Sequence, residues 1–301
     1  MMAFMSAHMP FAAAWPVAAT CTLLALASAA SAGRPDPATW KDYQVGPAGF
    51  RPAKRLPGGD AYPLSDQANK GKWRRYAPLW DEFDGNRLDA TKWWDINPEW
   101  KGRQPAAFMP SNVSVYDGKL HLTMKKEEPP AELKAQGYHT YTSAAVQSKT
   151  KVLYGYFEVT AKAMASAGSS AFWFYSNTPK EWTEIDVFEI GARAPGFERK
   201  DHITVHVFHT PTEKEHWQIG SAWITPWDPA DGYHVYGLDW EKDQLSFYVD
   251  GVLVRRGPNT HWHQPLTLNL DTETMPDWFG LPRDQDLPST YSIDYARAWK
   301  H

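Results

Sequence analysis

Three carboxylic acids fall close together in the stretch Trp182-Thr183-Glu184-Ile185-Asp186-Val187-Phe188-Glu189-Ile190. They alternate with β-favouring apolar residues, so the stretch reads as a strand. Glu184 and Asp186 then share one face, while Ile185 and Val187 turn to the other, into a core. In a regular strand Glu189 would lie opposite Glu184. An extra residue at Val187-Phe188, a β-bulge, returns it to the face of the other two acids. Carboxylates held this close repel one another and split their pKa values, which costs stability but suits acid/base work. Hydrolysis of a glycosidic bond with retention needs a carboxylate nucleophile and a carboxylic acid roughly 5–5.5 Å apart. A two-residue step along a strand is about 6.6 Å, so Glu184 and Glu189 must lean toward each other over Asp186. Asp186 can hold a proton or a hydrogen bond between them. A calcium site or a solvated acidic face is the alternative, and the interleaved apolar residues and the many tryptophans nearby weigh against it.

The elements that must position these acids read as strands. Runs rich in Val, Ile, Thr and aromatics cover 119–124, 144–149, 154–163, 171–176, 184–190, 203–209, 234–240, 245–249, 266–270 and 291–299. Asp117-Gly118 and Asp250-Gly251 are hairpin turn signals. No long segment carries a 3.6-residue apolar period and no internal repeat is present, so a mostly antiparallel sandwich or barrel is expected rather than a propeller or solenoid. Residues 33–75 are rich in Pro and Gly and read as an extended arm or linker, a solvated tether wrapped on the domain rather than a binding segment. Residues 1–32 contain no Lys, Arg, Asp or Glu and end in Ala30-Ser31-Ala32. That pattern is a secretory signal peptide rather than a retained anchor, and it places the protein outside the cell or in the periplasm.

Composition narrows the class further. The 301 residues carry 31 Lys+Arg against 35 Asp+Glu, a balance of −4 that excludes a generally basic nucleic-acid binder. With 43% hydrophobic residues the chain can bury a core. The single Cys, Cys21, lies in the signal and rules out both a disulfide framework and thiolate zinc. Sixteen tryptophans exceed what a core needs and point to a surface that stacks sugar rings.

Glu-Ile-Asp-Val-Phe-Glu at 184–189 resembles the signature of glycoside hydrolase family 16 in its bulged-strand form, which includes laminarinases, agarases, porphyranases and κ-carrageenases. The likeness spans most of 76–301. It includes Trp80-Asp81-Glu82-Phe83-Asp84-Gly85, Tyr154-Gly155-Tyr156-Phe157-Glu158, Ala171-Phe172-Trp173, Phe247-Tyr248-Val249-Asp250-Gly251 and Ile293-Asp294-Tyr295-Ala296-Arg297-Ala298-Trp299. The resemblance implies an all-β fold, an antiparallel β-jelly-roll sandwich with a concave substrate cleft, over the catalytic domain 76–301. It implies Glu184 as nucleophile, Glu189 as general acid/base and Asp186 as the assisting acid. No cofactor is implied for catalysis. A structural calcium is, at Glu82, Gly118 and Asp294, the first two through backbone oxygens.

The substrate side is less settled by the sequence. Asp271-Thr272-Glu273-Thr274 resembles a segment of agarases and their relatives, and Trp100-Lys101-Gly102-Arg103 looks more like the algal-galactan branch than the laminarinases. Tyr141-Thr142-Ser143 and Phe172-Trp173-Phe174-Tyr175-Ser176 resemble κ-carrageenases. Trp100, Trp173 and Trp278 are stacking candidates, with Trp278 more readily read as a packed loop residue next to Pro276. Glu273 is a further cleft candidate. Arg103 offers a fork for sulfate or is a plain surface arginine. His206 is a cleft histidine or a neutral core one, with Thr204 and Phe208 on its face. The expectation is a monomeric secreted endo-hydrolase of a β-linked red-algal galactan that takes a polysaccharide partner, with no nucleic acid and no membrane contact after signal removal. A β-1,3-glucanase, a non-catalytic carbohydrate-binding module and a structural wall protein are the alternatives.

Overall fold

The computed structural model describes residues 33–301. The segment read as a signal peptide, 1–32, lies outside the described residues. The architecture is a jelly-roll sandwich of two antiparallel sheets. The outer sheet runs Lys41–Asp42, Val252–Pro258, Gln244–Val249, His234–Trp240, Gly155–Lys162, Ser289–Lys300, Lys119–Met124, Val113–Tyr116, with Arg74–Arg75 added beside Ser289–Lys300. The inner sheet runs Trp217–Ile224, Lys200–His209, Trp182–Ile190, Ser169–Asn177, Thr267–Glu273, Ala145–Ser148, Trp93–Trp94. A short parallel pair, Ala107–Phe108 with Thr142–Ser143, stands apart. Among the described residues the α-helical element is a single turn, Ala131–Lys134, and no helix is long and apolar enough to cross a membrane.

The alternation that marked the strands also builds the core. Phe157 of the outer sheet meets Phe174 of the inner at 5.0 Å between ring centroids, and Phe188 meets Tyr236 at 4.4 Å. Trp93, Trp240, Trp262 and Trp299 are fully buried, so part of the tryptophan surplus is ordinary core. Both expected hairpins form. Asp117 and Gly118 take φ of 50° and 65°, Asp250 and Gly251 take 47° and 72°, the doubly positive pair that a two-residue turn joining twisted strands requires. Besides several strands of two to four residues, two long ones escaped the reading, Trp217–Ile224 and Val252–Pro258. The first is half polar on its cleft side, with exposed Gln218, Gly220 and Ala222, and the second is interrupted by Arg255, Arg256 and Gly257.

The segment 33–75, read as an arm or linker wrapped on the domain, does lie on it, but through buried anchors rather than as a solvated tether. It belongs to the same compact unit as the rest of the domain. Trp40, Phe50, Leu64 and Trp73 are buried in it. Trp40 packs edge-on to Trp262 at 6.2 Å, over Gly257, where an added Cβ would come within 2.1 Å of the indole. Pro and Gly density misled here because these residues shape turns between buried aromatics rather than a free tether. Further along, Arg55 Nη2 donates to the buried Glu158 carboxylate at 2.9 Å, and the Leu64 N–H and the Tyr295 hydroxyl donate to it at 2.8 and 2.7 Å. A buried carboxylate satisfied by three donors is stable only while all of them stay in place. Glu158→Ala should therefore cost roughly 3–5 kcal/mol in denaturant unfolding and make the 53–66 stretch the first site of proteolytic nicking. Unchanged stability would show that this network does not hold the arm.

Candidate active site

The acidic strand Trp182–Ile190 sits inside the inner sheet. Against Lys200–His209, Asp186 pairs with Thr204 but Glu189 pairs with His202, so three residues on one strand oppose two on the other. Against Ser169–Asn177 the register slips at the same place, between Phe188↔Phe172 and Asp186↔Trp173. The bulge expected at Val187-Phe188 is therefore present. Val187 and Phe188 both enter the core, and Glu184, Asp186 and Glu189 line one cavity. The strand is pinned from behind by the buried Trp262, whose Nε1 donates to the carbonyls of Glu184 at 2.8 Å and His206 at 3.2 Å.

The acids are not alone. Glu273 and Asp271 lie two strands away in the same sheet on Thr267–Glu273, also on the cleft face, and both are buried. Arg103 Nε donates to Glu273 at 2.9 Å, with the arginine side chain 49% exposed and the glutamate 4%. Trp173 Nε1 donates to Asp271 at 2.8 Å. Asp186, buried, lies 3.2 Å from His206 Nε2, and Glu184 lies 3.9 Å from the same nitrogen. His206 Nδ1 in turn lies 3.1 Å from His216 Nε2. Among the described residues Glu184, Asp186 and His206 form the one His/acid group with metal-ligand spacing. Asp186 shared with an imidazole is equally the arrangement that orients a carboxylate between two working acids.

Burial and mutual repulsion raise these acids together. Desolvation, then the negative charges of Asp186, Glu189 and Glu273, push Glu184 well above the ordinary carboxylate range, with Arg103 pulling back. Desolvation, then Asp186 and Glu273, do the same to Glu189. Desolvation followed by Glu273 raises Asp271. Burial raises Glu273 as well, against the opposing pull of Arg103.

The remaining candidates divide. Trp100 lies edge-on to Trp173 at 6.3 Å and borders both cavities of the cleft. Trp173 is only 8% exposed, one face of it stacked on Tyr175 at 4.8 Å, so it floors the smaller cavity rather than standing as an open platform. Trp278 is 37% exposed at the rim, backed by Phe279 at 4.3 Å and touching His202 at 4.7 Å. It is both a packed loop residue and a cleft wall. His206 faces the cleft, with Phe208 stacked against it at 5.6 Å. Glu99, Tyr175, Asn177 and Trp182 also line the smaller cavity, of about 300 Å³, and Asp271 is buried beside it on the indole of Trp173. Asp271 was detectable as the residue two before Glu273, on the same face. Glu99 was not, because its hydrogen bond from the Tyr175 hydroxyl at 3.0 Å joins a loop to a strand far away in sequence. The larger cavity is about 1280 Å³, beyond the range of a small-molecule pocket.

The calcium positions sit elsewhere, on the outer sheet. The Glu82 carboxylate is held by the Arg297 fork at 2.9 and 2.8 Å, which leaves its backbone oxygen as the available donor. Asp294 is 44% exposed and faces Lys119 Nζ at 3.3 Å. Asp84 Oδ1 lies 4.0 Å from where a Gly118 Cβ would be. These are the hard oxygen donors that calcium takes, though Lys119 must swing away from Asp294 for the ion to enter.

A sandwich with crowded acids on a bulged strand at the floor of a long cleft defines a glycosidase. A family model described as "Beta-porphyranase A-D, GH16 domain" matches residues 73–301, and the chain belongs to glycoside hydrolase family 16. It is 31% identical over 254 residues to β-porphyranase E of Zobellia galactanivorans, covering 76% of this chain and 88% of that protein. The crystal structure of porphyranase B from Zobellia galactanivorans is similar with a TM-score of 0.68 at 25% identity, covering 76% of this chain and 92% of that one. A structure named 1,3-alpha-1,4-beta-D-galactose-4-sulfate-3,6-anhydro-D-galactose 4 galactohydrolase is similar with a TM-score of 0.64 at 27% identity, covering 75% and 94%.

The raised acids have a consequence for stability. A carboxyl whose folded pKa lies above its unfolded value, about 4.3 for Glu, favours the native state while protonated. That contribution is lost as pH rises from there through the folded pKa. Glu189→Gln puts a neutral side chain in place of this group and so removes the pH-dependent penalty, which should raise the melting temperature at pH 7 by roughly 2–4 °C per kcal/mol relieved, with the gain shrinking toward pH 4. A variant less stable than the parent at pH 7 would contradict this account of the site.

Proposed function

We propose that the protein is a secreted, monomeric, retaining endo-hydrolase of a β-linked algal galactan, agarase- or κ-carrageenase-like in its chemistry. The observation that carries the reading is the Glu184–Asp186–Glu189 set on one bulged strand, facing a cleft longer than one sugar. The names of the relatives, a porphyranase and a hydrolase of galactose-4-sulfate units, support the galactan class.

In the first step Glu189, kept protonated by burial and by the charges of Asp186 and Glu273, donates its proton to the glycosidic oxygen. The Glu184 carboxylate attacks the anomeric carbon as the bond to that oxygen breaks, and a glycosyl ester forms. Glu189, now a carboxylate, takes a proton from water, and the hydroxide attacks the same carbon and frees Glu184. Asp186, 3.2 Å from His206 Nε2, is the positioning residue between the two. Arg103 pulls both glutamates toward their charged forms and so limits how far burial raises Glu184, which must be ionised to attack. No step calls on a metal. Calcium bound at Glu82, Gly118 and Asp294 would tie the opening segment to the Asp117-Gly118 turn and the last strand.

The test is incubation of purified protein with agarose, porphyran, κ-carrageenan and laminarin, with product sizing and NMR of the first-formed anomer. Retained configuration and galactan oligosaccharides are expected, with Glu189→Ala slowing turnover about 10²–10⁴-fold. Cleavage of laminarin alone would make it a β-1,3-glucanase, and binding without turnover would return it to the binding-module reading. Sequencing of exported protein should begin at Gly33. A start elsewhere would displace the proposed cleavage site after Ala32.

A further inference from the structure

The arm that precedes residue 73 falls outside the family match, yet it reaches the cleft. Its first described residues run along the outer edge of the inner sheet, beside Trp217–Ile224. Arg34 Nη2 donates to the Gln218 carbonyl at 3.1 Å, and the Ser221 hydroxyl donates to the Asp42 carboxylate at 2.9 Å. The Gln44 amide accepts from the Ile224 N–H at 2.9 Å and donates to its carbonyl at 3.0 Å. The direction of the arm is set between these contacts. A 3₁₀ turn at Pro37–Thr39 is capped by the Asp36 carboxylate, which accepts from the Ala38 N–H at 2.9 Å. The buried Trp40 follows directly as an anchor.

This path brings Arg34 and Pro37 into the lining of the 1280 Å³ cavity, next to Gln218, Gly220, Ser221 and Ala222. The floor here differs from the rest of the cleft. Its side chains are small and uncharged, and Gly220 lies so close under Thr204 that a Cβ would meet its Oγ1 at 2.8 Å. Of the stacking tryptophans, Trp100 packs on Trp173, three strands away, and Trp278 on His202, the strand neighbour of Ala222 and not of Gln218. A sugar at the arm end must therefore be held by hydrogen bonds or charge.

Two cationic side chains line this cavity, Arg34 and Arg103. Arg103 is committed to Glu273. Arg34 has no carboxylate partner among the described residues, and the backbone carbonyl of Gln218 takes one of its five N–H groups. An open guanidinium fork matches the oxygens of a tetrahedral oxyanion. The rest of the cleft, with Glu184, Glu189 and Asp277 in its lining, repels a polyanion.

From this geometry we infer that Arg34 forms an anion subsite at the arm end of the cleft, and that its ligand is a sulfate ester on the polysaccharide, away from the bond being cut. The inference deepens the galactan reading above and rests on it. The arm is then a specificity element added to the family's domain.

The test compares the full chain with Arg34→Gln and Arg34→Lys. Each is made in the Glu184→Gln background for binding to a sulfated galactan and to the same polymer after chemical desulfation, and in the active enzyme for kinetics. Arg34→Gln should weaken binding of the sulfated polymer roughly tenfold and flatten the preference for it over the desulfated one. In the active enzyme the loss should appear in KM more than in kcat. Arg34→Lys should recover part of the preference, since it keeps the charge and loses the fork. Equal weakening on both polymers, or an unchanged preference, would overturn the subsite while leaving the galactan reading intact. Cleavage of laminarin alone would overturn the galactan reading, and the subsite with it.

Discussion

Everything in the cleft depends on one extra residue in one strand. A regular strand running from Glu184 to Glu189 would bury one of the two acids in the apolar core and send the other to solvent. The bulge at Val187-Phe188 puts two consecutive apolar side chains into the core and returns Glu189 to the cleft face. That is stable only because the core has room for both. Phe188 fits against Phe172 and Tyr236, from one strand of each sheet. The packing of the sandwich and the alignment of the acids are thus one constraint seen from two sides. A change in Phe188 would be felt at Glu189 before it was felt anywhere else in the cleft.

The same alignment concentrates negative charge where water is scarce. Glu184, Asp186, Glu189, Asp271 and Glu273 share a neighbourhood in which Arg103 is the cation that touches them, with His206 beside Asp186 and Glu184. Burial, and after it repulsion among the acids, favours a proton on one of them, and this electrostatic strain is the origin of the acid/base capacity. The fold offsets it with hydrogen bonds from beneath. Trp173 holds Asp271, Arg103 holds Glu273 and Trp262 holds the backbone at Glu184. Two of the tryptophans that stood out in the composition, Trp173 and Trp262, serve in this way as indole donors under or beside the acidic floor.

The strands, the hairpins and the bulge were legible in the sequence because each is a local pattern. Alternation, a doubly positive turn pair and a misplaced glutamate can all be seen within a dozen residues. What escaped was non-local. Trp217–Ile224 looks like no strand because its cleft face carries Gln218, Gly220 and Ala222 rather than large β-branched or aromatic residues. Those small side chains leave room for the cleft. Trp173 read as a platform because the loop residue Trp100, which lies against it, is distant in sequence, although Tyr175, two residues on, already shares its face. Residues 33–75 read as a tether because turn-forming residues dominate the count, while the four buried aromatic and aliphatic anchors among them decide the structure.

The arm also changes where the boundary of the site is drawn. It pairs through Lys41–Asp42 with the edge of the outer sheet and lies along the edge of the inner one, so it closes the open flank of the sandwich on both layers. Unpaired edges are the places where β-proteins aggregate, and covering them is a structural need that any segment could meet. Once a segment is fixed there by Trp40 and Gln44, however, whatever side chain it carries a few residues upstream is delivered to the end of the cleft at little further cost in entropy. A guanidinium at position 34 is therefore best understood as chemistry carried on an edge-covering strap. It explains how a family built on a shared acidic floor can acquire a new contact to its polymer without altering any strand of the floor.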